Sequence, residues 1–204
     1  MTLIQPESPK GEVRAGGAAT RPAEYEMNTA TLRTLLEPAS IAVVGASDDT
    51  SKPGGKLVRN ILLRGYAGRL LLVNPKSTEV QGVRAYPSVA ALPEAPELAF
   101  IAIPARLVRT AVQELADTGA QAVVVLSAGF GEVSAAGRQE ERALVDIANK
   151  HGMLLIGPNC SGIVSHAHAS KFSGVPPVSR KGAIDFLSGS GATVDFLYEL
   201  ATRR

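Results

Sequence analysis

PASIAVVGASDDTSKPGGKLVRNILLRG, residues 38–65, holds one full period of the pattern that sets the fold. Ser40 to Val44 is a short run with no polar face, as expected for a strand covered on both sides. A glycine-punctuated loop follows. It leads into a stretch from Gly54 to Arg64 with apolar residues at helical spacing, and Gly65 stands where a helix would end. A doubly buried strand that feeds directly into a helix is the opening of a parallel α/β sheet.

Working outward, the same alternation recurs. Further apolar runs occur at Leu70 to Val73, Leu98 to Ile103, Ala122 to Leu126 and Met153 to Ile156. They are short and rich in Val, Ile and Leu. Helices are expected at Arg106 to Thr118 and Ala135 to His151, ending at Gly119 and Gly152. Five parallel strands joined by right-handed crossovers make a Rossmann-like, doubly wound α/β sheet. Upstream, Leu32, Leu35 and Leu36 sit at helical spacing until Pro38 stops the helix.

The flanks read differently. Residues 1–28 are rich in Gly, Ala, Pro, Glu and Arg without apolar periodicity, the composition of a disordered leader. Past Gly162 the text becomes irregular, then resumes with an apolar run, Ala183 to Leu187, the turn Ser188 to Gly191 and a helical stretch. This looks like the truncated start of a second, flavodoxin-like α/β unit. The expected division is a leader over 1–28, a Rossmann-like domain over 29–165, and a linker with the second unit over 166–204.

Bulk composition excludes several function classes. Of 204 residues, 45% are hydrophobic and 20% charged, enough to bury one full core. No apolar run approaches the roughly eighteen residues of a membrane helix, and no secretory signal opens the chain. A cytoplasmic protein without membrane association is expected. A net charge of +2 and 4% aromatics argue against nucleic acid. The single cysteine, Cys160, excludes an intramolecular disulfide framework, and the three histidines lack metal-ligand spacing with it. No metal site is expected.

Ligands of open parallel sheets collect at the carboxyl ends of the strands. After the first strand, Gly45 permits a tight turn, Ser47 offers a hydroxyl, and Lys52, Pro53, Gly54 and Gly55 open the helix. The loop suits a phosphate but does not follow G-x-G-x-x-G, and its glycines serve equally well merely to turn the chain. After the second strand, where NAD-binding domains carry an acidic residue, the sequence reads Val73, Asn74, Pro75, Lys76. A cation there fits a phosphorylated ribose, as in NADP or coenzyme A, although Lys76 also reads as a solvated loop lysine. Ser127, Ala128 and Gly129 form a small-residue turn with backbone donors after the fourth strand, and Asn159 stands in a stiff turn after the fifth. Nothing near Cys160 activates it, so it reads as structural or as merely lining the site rather than as a nucleophile. His166 and His168 read as surface-loop residues.

Together the stretches LLEPASIAVVGAS, PGGKLVRNILLRGYAG, LLLVNPK, AYPSV, LAFIAIPA, VVVLSAGFGE and GMLLIGPNCSGI resemble the CoA-binding domain of NDP-forming acyl-CoA synthetases. That family includes ADP-forming acetyl-CoA synthetases and the succinyl-CoA synthetase α subunit. The resemblance runs from about Leu35 to Gly162. It implies that Ser47, Lys52, Pro53 and Gly54 hold CoA phosphates, that Lys76 meets the phosphorylated nucleotide end, and that Ser127 to Gly129 contact the CoA arm. It also implies that the turn Ser188 to Gly191 opens the second domain, whose helix faces a phosphorylated histidine.

In that family an acid, CoA and ATP give acyl-CoA, ADP and phosphate, with ATP and Mg held by an ATP-grasp domain. His151, His166 and His168 do not match the phosphohistidine motif. The expectation is therefore a CoA-binding part of such a ligase, with no catalytic residue of its own, inactive alone, and partnered by an ATP-grasp domain or subunit. Homo-oligomers are an allied expectation. The competing readings are a CoA-sensing module like that fused to some protein acetyltransferases, and an NADP-binding Rossmann protein.

Overall fold

The structure is a computed structural model and describes residues 29–172 and 188–202. The expected leader and the expected strand at Ala183 to Leu187 lie outside the described residues.

The chain begins with α1 (Thr29–Leu36), β1 (Ser40–Val44), α2 (Pro53–Arg64), β2 (Arg69–Val73), β3 (Glu79–Val80) and β4 (Val83–Tyr86). It continues with β5 (Leu98–Ile101), α3 (Ala105–Thr118), β6 (Ala122–Val125), α4 (Ala135–His151) and β7 (Leu154–Ile156). The last elements are β8 (Gly162–Val164), β9 (Ala169–Lys171) and α5 (Gly191–Thr202). Seven strands form one sheet in the order β3-β4-β2-β1-β5-β6-β7, in which only the β3–β4 pair is antiparallel.

The five expected strands are present, each within a residue or two of its expected end. β5 stops at Ile101 rather than Ile103: the Ala102 amide still donates to Val44 O at 2.9 Å, but the amide and carbonyl of Ile103 bond the Ser127 hydroxyl instead of a strand. Two hairpins are additions to the expected pattern. In the first, β3 and β4 join through Gln81 (φ 50°) and Gly82 (φ 79°), a two-residue turn with both φ angles positive. The second pairs β8 with β9, and it spans the division expected at residue 165.

Strand periodicity divides the core. Ile41, Val43, Leu98, Phe100 and Val124 pack on one face with Leu57, Val58 and Ile61 of α2. Ala42, Val44, Ala99, Ile101, Val123 and Val125 pack on the other with Val108, Val112 and Leu115 of α3 and Leu144 of α4. The partition follows from handedness. A right-handed crossover from β1 to β2 places α2 on one side, and growth in the opposite direction through β5, β6 and β7 places α3 and α4 on the other. α2, α3 and α4 end on Gly65, Gly119 and Gly152, each in the left-handed conformation that frees the capping amide to reach back to the last turn.

His168 corrects a sequence expectation. Rather than lying in a surface loop, it is fully buried beneath the β8–β9 hairpin, edge-on to Tyr66 and Phe100. Its Nε2 lies 2.8 Å from Leu35 O and its Nδ1 2.8 Å from Ser170 Oγ. A carbonyl only accepts, so the proton sits on Nε2 and the Ser170 hydroxyl donates to Nδ1. The ring thereby ties α1 to the hairpin while neutral. His166 is exposed and faces Glu37 at 2.8 Å. Among the described residues, no helix is long and apolar enough to cross a membrane.

Burial pushes the His168 pKa down from 6.5 to about 4. The unfolded chain therefore takes up this proton first as pH falls. The stabilisation is complete above the ordinary histidine pKa and is lost as pH drops toward and through 4. Urea unfolding is expected to show roughly 3 kcal/mol less stability near pH 4 than near pH 7.5 from this residue. In His168→Gln that component of the pH dependence should vanish. An unchanged pH profile in the variant would contradict the assignment.

Candidate functional site

β1, β2, β5, β6 and β7 all deliver their carboxyl ends to one edge of the sheet. The strand order reverses between β1 and β5, so the crevice of an open α/β sheet lies outside these two ends. Gly45 sits there at φ 93°, and a Cβ on it would fall 2.5 Å from Ala102 O and 2.7 Å from Ile103 Cγ2. No larger residue lets the two turns meet.

The loop after β1 folds tightly over the start of α2. A Cβ on Gly54 would lie 1.9 Å from Gly45 O, and one on Gly55 would lie 2.1 Å from Asp49 O. Both glycines are consumed by this approach of loop to helix. The helix N-terminus itself carries no side-chain cap and no acidic residue in its first turn, with Lys52 at the N-cap and Pro53 following. An uncapped helix start with a cation beside it is suited to an anion. Both loop carboxylates are exposed, and Asp49 is held by bonds within the loop. Asp49 Oδ1 accepts from the Ser51 amide at 2.9 Å and the Ser51 hydroxyl at 2.5 Å, which hold its carboxyl below the usual range. Its Oδ2 lies 3.5 Å from Lys52 Nζ. Ser47 Oγ accepts from the Asp49 amide at 3.1 Å.

Lys76 follows β2 on the same edge and is exposed. Its backbone is fixed by Asn74, whose Oδ1 accepts from the Lys76 amide at 2.7 Å and the Ser77 amide at 3.2 Å. Asn74 Nδ2 donates to Ala46 O at 2.9 Å, which binds this turn to the β1 loop. One side chain therefore fixes the backbone that carries Lys76 and ties it to the β1 loop. Asn74 is absent from the sequence-derived candidates, although Asn-Pro is a turn signal.

The far side of the crevice is also interlocked. Ser127 Oγ donates to Ile103 O at 2.6 Å and accepts from the Ile103 amide at 3.2 Å, joining the turns after β5 and β6. The Asn159 amide donates to Ser127 O at 3.0 Å and adds the turn after β7. Asn159 takes a positive φ of 57°. Ala128 and Gly129 are exposed. The backbone donors expected at this turn are partly engaged: the carboxylate of Glu132 accepts from the Gly129 amide at 2.5 Å and the Phe130 amide at 3.1 Å. These bonds lower the Glu132 pKa. Cys160 is partly buried, and burial raises its pKa, opposite to what a nucleophilic thiol needs.

All ten candidate residues thus lie on one edge, though not at one point. Gly45, Ser47, Lys52, Pro53 and Gly54 cluster at β1 and α2, Lys76 is one strand to one side, Ser127 to Gly129 are two strands to the other, and Asn159 is three. At about 4.8 Å per strand, the span from β2 to β7 is about 19 Å. This edge matches an elongated ligand with charge near one end.

Comparison with known proteins identifies relatives of this chain. The family described as "CoA binding domain" matches residues 39–166. The chain is 43% identical over 159 residues to the α subunit of acetate–CoA ligase (ADP-forming) II of Pyrococcus furiosus, covering 78% of this chain and 34% of the relative. It is 41% identical over 174 residues to acetate–CoA ligase (ADP-forming) I of Archaeoglobus fulgidus, covering 84% of this chain and 25% of the relative. The dinucleotide-forming acetyl-coenzyme A synthetase 1 of Candidatus Korarchaeum cryptofilum, solved with phosphate and ADP, superposes with a TM-score of 0.71 at 33% identity, covering 83% of this chain and 36% of that one. The chain spans about a third or less of the length of these curated relatives.

The packing at α2 yields a direct test. Gly54→Ala is expected to cost about 1–3 kcal/mol in urea unfolding, because its methyl has no room against Gly45 O. Gly189→Ala, where no atom of the described residues lies within 4 Å of the added Cβ, should change stability by less than about 0.5 kcal/mol. Equal effects at the two positions would contradict the steric account.

Proposed function

This chain belongs to the CoA-binding domain family, and from that premise we propose that its carboxyl-edge crevice holds coenzyme A for an ADP-forming acyl-CoA synthetase. The observation that supports the assignment is that Asn74 ties the turn bearing Lys76 to the β1 loop, which leads into a helix start without a side-chain cap. The Lys76 ammonium would be a fitting partner for the extra phosphate on the ribose of CoA, and the α2 start would suit the pyrophosphate. Ser47 and the backbone around Lys52, Pro53 and Gly54 would line the pyrophosphate. The turn Ser127 to Gly129 would flank the pantetheine arm, and Asn159 would shape the end where the thiol lies.

When bound, the coenzyme supplies the thiol that accepts the acyl group. The residues of this chain bind and orient it, and none of them serves as acid, base or nucleophile. The nucleotide and Mg site belongs, on this reading, to an ATP-grasp domain or subunit, and the phosphoryl carrier to the second α/β unit. The relatives named above are ligases, which favours this role over a sensor fused to an acetyltransferase. A cytoplasmic setting accords with such chemistry. An NADP-binding role is disfavoured by a first loop that lacks G-x-G-x-x-G.

Calorimetric titration of the chain with CoA, dephospho-CoA, NADP and NAD tests this. CoA is expected to bind, dephospho-CoA more weakly, and the nicotinamide dinucleotides not measurably. Lys76→Ala should weaken CoA about tenfold, or about 1.4 kcal/mol, leave dephospho-CoA unchanged, and flatten the dependence on salt. If Lys76→Ala binds CoA as the parent does with the same salt dependence, that role is wrong. Preferential binding of NADP would overturn the function.

A further inference from the structure

From the β3–β4 hairpin we infer that Gln81 is a positioning residue for coenzyme binding: it sets the shape of the phosphate loop from a site that the ligand itself does not touch. The inference rests on the CoA-binding reading above and adds to it a residue outside the motifs that carry the family resemblance.

The loop from Asp48 to Pro53 is exposed throughout, so burial does not fix its shape. Hydrogen bonds must do so. Those within the loop, from Ser47 Oγ and from the side chain and carbonyl of Asp49, define local turns but do not attach it to the sheet. Asn74 provides one long-range side-chain bond, at Ala46 O. The Gln81 side chain provides two, and its backbone amide adds a third bond to the loop. Its Nε2 donates to Ser47 O at 2.8 Å and to Gly55 O at 2.9 Å, so a single amide clamps the start of the loop to the first turn of α2. Its backbone amide donates to Asp48 Oδ1 at 2.7 Å. That bond holds toward the hairpin a carboxylate that would otherwise be free to repel an incoming phosphate.

The backbone of Gln81 points the same way. A two-residue turn with two positive φ angles favours Asn-Gly, Asp-Gly or Gly-Gly, because the first position needs the left-handed region. Gln81 occupies that position at φ 50°. Asn would suit the turn better but is one methylene shorter, too short to span the same two carbonyls. A residue poor for the hairpin and long enough for the loop is what a positioning role requires.

Two variants of the full chain test the inference, with thermal unfolding as a control. Gln81→Asn relieves the turn and shortens the amide, whereas Gln81→Met keeps the length and removes the donor. Each is expected to weaken CoA and dephospho-CoA by the same factor, about tenfold, because the loop serves the pyrophosphate common to both. Pantetheine, which lacks phosphate, should bind each variant as it binds the parent. If either folded variant binds CoA as tightly as the parent, or loses pantetheine in proportion to CoA, the positioning role is wrong. Failure of the parent chain to bind CoA would instead sink the function on which the inference rests, so the two failures are distinguishable.

Discussion

A parallel sheet buried on both faces leaves its chemistry one place to go. With α2 on one side and α3 and α4 on the other, the faces are lined mostly by apolar side chains, and the strand ends gather many of the polar atoms. Because every strand of the β2-β1-β5-β6-β7 series runs the same way, those ends and the helix starts share an edge. The reversal of order at β1 and β5 opens a crevice in that edge. Gly45 is a tight constraint in this edge, since the turns after β1 and β5 touch there at a distance only glycine allows.

From that crevice outward, the edge is held by hydrogen bonds more than by burial. Asn74 joins the β2 turn to the β1 loop, and Gln81 joins the hairpin to the same loop. Ser127 joins β6 to β5, and the amide of Asn159 joins β7 to β6. The turn after β7 and β9 also meet α5: a Cβ on Gly191 would lie 1.9 Å from Ser161 Oγ, and the buried Lys171 pairs with Asp195 of α5. The start of α5 therefore abuts the far end of the candidate site.

The sheet is legible in the sequence because doubly buried strands leave uninterrupted apolar runs, and the helix ends because Gly65, Gly119 and Gly152 mark left-handed caps. The hairpins are not. β3 has two residues and β8 and β9 three each, too few for a periodic signal, and their partners are set by tertiary pairing. His168 escapes a sequence reading for the same reason: SHAHAS has no apolar pattern, and burial comes from α1 and Tyr66, far away in sequence. The candidate site is legible as positions, from the residues immediately after each strand. Its supports, Asn74, Gln81 and Glu132, bond across loops, and only Asn-Pro and Gln-Gly give any local sign of them.

The central claim is that an elongated coenzyme lies along this edge with its phosphates at β1 and β2. Amide chemical-shift mapping of the isotopically labelled chain during CoA titration tests it most directly. The account predicts shifts concentrated at residues 45–56, 74–77, 103–105, 127–130 and 157–161, with the exposed faces of α3 and α4 silent. Shifts centred on those helix faces, with the β1 loop and Lys76 unmoved, would contradict it.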